Sequence, residues 1–282
     1  MRGKILDYTT QIESLLTKLG ATGRGMHEKL DSIESKIELS MVKKIRWIAT
    51  LRNKAVHEEN FHTDINNFIK EIKRVNMNLE KLKDVEAEFL FQYPTGFQDA
   101  KFFPTMKKFN PSKLEEFTKE NLKKENFSNP NLVVDSFFKI IQKSVLVSLF
   151  DKLKFRDMLA GLTSYEKDML SIELFELIHG NQKNGFEGIV EFLAQYNLAK
   201  WTIISVVLYY NNRQKEYFIK PTTTKNVIKY FDIKDLIYKP TPSFEFYDAY
   251  KKVLNEMKKN VHKSLHPDNA AFTGFLRISM ED

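Results

Sequence analysis

Between residues 41 and 56 the apolar side chains gather on one side of a helix, and an arginine stands in the middle of that side. At about 100° per residue, Met41, Val42, Ile45, Ile48, Ala49, Leu51, Ala55 and Val56 cover one broad apolar arc, with Arg52 near its centre. A guanidinium cannot be left unpaired in a dry core. Arg52 therefore meets a carboxylate, lines an interface or faces a pocket, and any fold for this chain has to provide one of the three. Glu28, Asp31, Glu34 and Glu38, on the helical stretch before it, are the carboxylates it could pair with.

The segment around this arginine reads as four helices. Lys4 to Lys18 carries Ile5, Tyr8, Ile12, Leu15 and Leu16 at helical spacing, with Leu19 continuing the series. Gly20, Gly23 and Gly25 then open the chain. Their G-x-x-G-x-G spacing has the look of a phosphate loop, but no strand precedes it, so it reads as an interhelical turn. A second helix covers Met26 to Ile37, and Ser40 caps a third that runs to His57. A fourth starts near Thr63, with Asp64 in its first turn and Ile65, Phe68, Ile69, Ile72 and Leu79 on one side.

Residues 86 to 130 have a different texture. Pro94, Gly96, Pro104, Pro111 and Pro130 punctuate a stretch rich in Phe and Lys, with one short helix around Lys113 to Lys124. Phe89, Phe91, Phe97, Phe102, Phe103 and Phe109 are too apolar for a disordered linker, so the connector is expected to wrap a neighbouring surface. A second domain follows from residue 131. Helical patterns cover Leu132 to Phe150, Ser164 to Ile178 and Phe186 to Tyr196. Thr202 to Tyr209, the turn residues Asn211 and Asn212, and Glu216 to Ile219 read as a β-hairpin. Pro221 starts a helix through Phe231, Ser243 caps a long helix from Phe244 to Leu265, and Phe272 to Ile278 adds a strand to the hairpin. The expected fold class is mainly α. It comprises a helical bundle at 1–85, a connector at 86–130, and a mostly helical α+β domain at 131–282 with a small β-hairpin or sheet.

Composition limits what such a chain does. Of 282 residues, 42% are hydrophobic and 29% charged, with 23 phenylalanines, a globular balance with ample core material. The longest apolar run, Ile203 to Tyr209, has the length of a strand, so no membrane span is expected. Ile5 and Leu6 are followed at once by Asp7, Thr9, Gln11 and Glu13, unlike a signal peptide. There is no cysteine, which excludes disulfides and thiolate metal sites. These features predict a cytoplasmic protein without a membrane partner. The formal net charge of +7 favours a polyanion such as RNA, with the lysines scattered over solvated helix faces.

The segment that carries chemistry is Arg52-Asn53-Lys54-Ala55-Val56-His57, which closes the amphipathic helix and is followed by Glu58. It resembles the R-x4-6-H motif of HEPN domains, in which a polar residue such as Asn often follows the arginine. The resemblance covers residues 1 to 85 and implies a helical bundle that dimerises through its motif-bearing face. Many such domains are metal-independent endoribonucleases of toxin–antitoxin, anti-phage and CRISPR-associated systems. The resemblance then implies catalytic roles for Arg52 and His57 and an accessory one for Asn53; Arg46 and Lys54, basic residues of the same helix, are expected to bind RNA. The implied partners are RNA, a second copy of the chain, and an antitoxin or defence-system partner. Other members have lost activity, and the alternative is a non-catalytic HEPN dimerisation scaffold or a nucleotide- or partner-binding module.

The side chains suit RNA cleavage. RNA carries its own nucleophile, the 2′-hydroxyl, so a catalyst has only to move protons and stabilise charge on the phosphorane. An imidazole such as that of His57 does the first and a guanidinium such as that of Arg52 the second, while Asn53 orients a phosphate or the ring. The products are a 2′,3′-cyclic phosphate and a 5′-hydroxyl. No cofactor or metal is called for, since the other histidines lack ligand spacing. One obstacle is geometric: five residues along a straight helix put His57 about 140° round from Arg52. Either the helix distorts before His57, or a two-fold axis brings two copies of the motif into one composite cleft.

Four further features have structural readings. His266-Pro267-Asp268 reproduces the tripeptide of J-domain co-chaperones but sits where a turn follows the long helix. Lys220 to Lys225 reads as an ordinary helix start. Tyr247, Tyr250, Leu254, Met257 and Val261 have core spacing, and Trp201, Tyr209 and Tyr217 pack the expected hairpin.

Overall fold

A computed structural model describes residues 2–34, 37, 39–57, 81–102, 104, 111–234 and 236–280. The chain is mainly α-helical, and among the described residues no strand forms. None of the described helices is long and apolar enough to cross a membrane. The chain divides into two compact units, Met1–Gln92 with Lys252–Lys263, and Tyr93–Lys251 with Ser264–Asp282.

In the first unit, helices α1 (Arg2–Lys18), α2 (Met26–Ile33) and α3 (Leu39–His57) pack on one another in all three pairings. Each contributes one stripe to a shared core: Ile5, Ile12 and Leu16 from α1, Met26, Leu30 and Ile33 from α2, and Val42, Ile45, Ile48, Ala49 and Ala55 from α3. At about 1.5–3 kcal/mol for each fully buried aliphatic side chain, this core holds α2 in place, since a two-turn helix is not stable alone. The glycines between α1 and α2 form the expected interhelical turn. Gly20 ends α1 at φ +89, with its amide bonded to Thr17 O at 2.9 Å and that of Ala21 to Leu16 O at 2.9 Å, the pairing of a Schellman cap. The fourth helix expected from Thr63 falls mostly outside the described residues. Residues 81–92 are helical (α4) and bury Leu82, Val85 and Phe89.

The second unit contains α5 (Pro111–Asn121), α6 (Pro130–Lys143), α7 (Leu149–Gly161), α8 (Ser164–His179), α9 (Gln182–Ala194), α10 (Trp201–Asn211), α11 (Pro221–Tyr230), the first half of α12 (Phe244–Lys259) and α13 (Asn269–Ile278). The Phe-rich stretch from 93 onward belongs to this unit. In it Phe97 and Phe102 pack ring to ring at 4.9 Å, whereas Phe91 at the end of α4 stands exposed, and Phe103 and Phe109 lie outside the described residues. The pair α8 and α9 packs closely because Gly185 has no side chain; a Cβ there would run into the backbone nitrogen of Leu177.

The β-hairpin expected at 202–219 is not formed. Residues 201–211 are the helix α10, which packs against α5, α6, α8 and α9 and buries every side chain from Ile203 to Tyr210. A helix enclosed on all sides has no polar face to break its apolar run, so its sequence looks like that of a buried strand. Residues 216–219 form no strand. Their amides find side-chain hydroxyls instead: Tyr217 N donates to Tyr247 Oη at 3.1 Å and Ile219 N to Ser205 Oγ at 2.9 Å. The strand expected at Phe272 to Ile278 is helix α13. Trp201, Tyr209 and Tyr217 are buried, as are Tyr247, Tyr250, Leu254 and Val261 of the core stripe.

Candidate functional site

Helix α3 is unbroken from Leu39 to His57. Ile45, Ile48, Ala49 and Ala55 pin its inner face to the core, which fixes the direction in which Arg52 leaves the backbone. Arg52 is partly buried. Its Nη1 donates to Asn53 Oδ1 at 3.0 Å, and its Nε, closed off from solvent, makes no hydrogen bond. A buried donor of a charged group without a partner costs at least about 1–3 kcal/mol. Among the described residues no carboxylate pairs with this guanidinium.

The acids of α2 are engaged elsewhere. Arg46, one and a half turns earlier on α3, donates through Nη2 to Asp31 Oδ1 at 2.7 Å and to Glu34 Oε2 at 2.7 Å. The hydrogen bonds to Asp31 and then Glu34 hold its guanidinium still more firmly protonated. The arginine that bridges α2 and α3 is thus Arg46, and of the four carboxylates considered for Arg52 only Glu28 lies beside it, Glu38 being outside the described residues.

Arg52 instead lines a recess of about 170 Å³ together with Ala49 and Asn53 of α3 and Gly25, His27 and Glu28 at the start of α2. The glycine turn builds the opposite wall. Gly23, at φ +134, lies so close to α2 that a Cβ would sit 2.6 Å from Glu28 Cβ. Gly25 is the N-cap, with no side chain to bond the first-turn amides of α2. Glu28, which lines the recess, accepts from Arg24 N through Oε2 at 2.8 Å.

The other sequence-predicted residues are placed as follows. Asn53 and Arg52 are brought together. His57 is exposed at the last described position of α3 and is not part of the recess lining. Because the helix is regular up to His57, the distortion considered above does not occur, and the separation of about 140° from Arg52 stands within one chain. Lys54 is exposed. His27 was not singled out by sequence. The signal for it is the short connection between α2 and α3, which makes them antiparallel neighbours and sets the beginning of one against the end of the other. Among the described residues no group of three or more His, Asp or Glu side chains could hold a metal ion. His266-Pro267-Asp268 is structural, with Asp268 capping α13 by accepting from Ala271 N at 2.8 Å. Lys220, the N-cap of α11, has no side-chain cap bond, and Pro221 occupies the first helical position.

Comparison of the chain with family models, with curated proteins and with solved structures finds no match.

Proposed function

We propose that the first unit is a HEPN-type, metal-independent endoribonuclease acting through Arg52 and His57 at a site shared by two subunits. The observation that carries this reading is the state of Arg52: a partly buried guanidinium with an unpartnered Nε, while Arg46 takes Asp31 and Glu34. A structural arginine would have taken those carboxylates itself. In the proposed reaction the phosphate oxygens lie on the Arg52 fork, whose orientation Asn53 fixes. His57 of the facing subunit removes the 2′-hydroxyl proton. The 2′-oxygen attacks phosphorus, the bond to the 5′-oxygen breaks, and a proton returns to that oxygen. The two ends are a 2′,3′-cyclic phosphate and a 5′-hydroxyl, and no water or metal enters the balance. In a defence or toxin setting, expression of the wild-type chain slows growth and His57→Ala relieves it.

The test is incubation of the purified protein with total RNA in EDTA, beside Arg52→Ala and His57→Ala. Wild type is expected to produce cyclic-phosphate ends, and each variant to lose about 10²–10⁴-fold in rate. If wild type leaves RNA as intact as the variants do, the catalytic reading falls. The second reading is a non-catalytic dimerisation scaffold. It predicts a dimer by light scattering with RNA untouched, and a monomer at micromolar concentration counts against both.

A further inference from the structure

We infer that the outer face of α7 is a membrane-surface contact, which seats the second unit on a bilayer carrying anionic lipid. The inference is independent of the RNA-cleavage reading, since every residue it uses lies in the second unit. The expectation of no membrane partner rested on the lack of a spanning run, and a contact of this kind needs none.

Helix α7 has two apolar faces. The inner one, Phe155 and Met158 beside Asp151, is buried, and the helix packs chiefly on α6. At about 100° per residue, Leu149, Phe150 and Leu153 fall on the opposite side. There Leu149 is 72% exposed, Phe150 61% and Leu153 42%, and Val145 in the loop before the helix is 57% exposed. Apolar side chains exposed singly need no explanation, but four within one loop and the first two turns of a helix form a patch.

The rim of this patch is basic. On an ideal helix Lys152 and Lys154 leave the backbone on either side of the apolar arc. Lys154 Nζ stands 4.8 Å and Lys200 Nζ 5.6 Å from the centre of the Phe150 ring. The neighbouring acids are already used: Asp151 pairs with Lys200, and Asp157 with Arg156 at 2.7 Å. Among the described residues no carboxylate pairs with Lys152 or Lys154. Partial burial lowers the Lys152 ammonium from its ordinary value, with no acid to offset it.

Charge and composition choose the occupant. A second copy of the same patch would set lysines against lysines. Protein interfaces are depleted in lysine and draw their anchors from Trp, Tyr and Arg, whereas this patch is Leu, Phe and Val ringed by lysine. That is the makeup of an interfacial helix. Leu and Phe enter the boundary of the acyl chains, and lysine stems lie along the apolar surface while their ammonium groups reach the anionic headgroups. The arc closes at Asp157, so only the first two turns of α7 face the bilayer.

The test sediments the full chain with vesicles of phosphatidylcholine alone and with vesicles that also contain about 30% phosphatidylserine. Binding is expected to the mixed vesicles and should fall as salt rises. Leu149→Ser with Phe150→Ser should weaken it about tenfold or more. Tyr165→Ser with Ile172→Ser removes two exposed apolar side chains from α8 and should leave it unchanged. Lys152→Gln with Lys154→Gln should weaken it about tenfold and flatten the salt dependence. Since the chain has no cysteine, Leu153→Cys carries an environment-sensitive dye at one position alone. Its emission should shift to the blue on the mixed vesicles, and the same dye on Ile172→Cys should not shift. No binding to the mixed vesicles overturns the inference and leaves the patch to a protein partner. Binding that survives Leu149→Ser with Phe150→Ser, or a dye at position 153 that stays in water, overturns it too. Either result reduces the interaction to the general attraction between a chain of net charge +7 and an anionic surface.

Discussion

Arg213 and Arg52 are both partly buried arginines, one just past the end of α10 and the other near the end of α3, and they are used in opposite ways. Arg213 donates through Nε to Glu115 Oε2 at 2.7 Å, through Nη1 to Asp268 Oδ2 at 2.8 Å and through Nη2 to Ser112 Oγ at 3.3 Å. Its carbonyl accepts from Asn269 N at 3.1 Å, so one residue ties α5 and α13 to the end of α10. Arg52 makes a single side-chain hydrogen bond, to its neighbour Asn53, and keeps a buried donor idle. Folding satisfies buried polar groups wherever stability is the only demand. Arg213 has the complete set of partners expected of a structural arginine, and Arg52 does not.

Removing each arginine should therefore separate stability from function. Arg213→Ala leaves Glu115 and Asp268 without their shared cation and is expected to destabilise the second unit by about 3–5 kcal/mol. The chain has two tryptophans, Trp47 in the first unit and buried Trp201 in the second, so denaturation followed by Trp201 emission in a Trp47→Phe background reads this unit alone. A loss below about 1 kcal/mol would show that the network contributes little. Gly23→Ala should cost the first unit about 1–3 kcal/mol, because it places a Cβ against Glu28 at a φ of +134. It should also disturb the recess, since the same loop forms its wall. Arg52→Ala should change the stability of the first unit by less than about 1 kcal/mol, as it removes an unsatisfied donor rather than a set of bonds. A loss as large as that of Arg213→Ala would erase the distinction between the two residues.

The smallest effect is a slope with pH. Burial raises the Glu115 carboxyl, but hydrogen bonds from Lys119 and Arg213 outweigh it and hold the group below the ordinary carboxylate range. The native state therefore binds this proton less readily than the unfolded chain does. Its contribution is present above the usual carboxylate pKa and is lost as the pH falls through the depressed native value. Glu115→Gln should make the second unit less stable at neutral pH and flatten its acid dependence, measured by the same Trp201 emission between pH 6 and 3, values taken as roughly spanning carboxylate titration.

The two regions also differ in how legible they were. In the first unit the spacing of Ile5, Ile12 and Leu16, the glycine turn and the apolar arc of α3 foretold elements and core alike, because each helix has one buried and one wet face. Arg52 in the middle of that arc stood out for the same reason. What sequence could not supply was the recess that Arg52 and His27 both line, which only tertiary packing creates. In the second unit α10 was read as half a hairpin: a helix buried on every side shows no period, and β-branched Ile203, Ile204, Val206 and Val207 point toward a strand. Segment 216–219, which forms no strand, completed that reading, and the hydroxyls of Ser205 and Tyr247 that accept from its amides come from distant positions in the chain.

The most direct measurement is complementation between two dead variants. Arg52→Ala and His57→Ala are co-expressed, purified together and assayed on RNA in EDTA. If the guanidinium of one subunit and the imidazole of the other act on one phosphate, mixed dimers carry one intact Arg52–His57 pair of two, and activity should return to about a quarter of wild type. A mixture as inactive as either variant alone, beside an active wild type, would contradict a cleft shared between subunits.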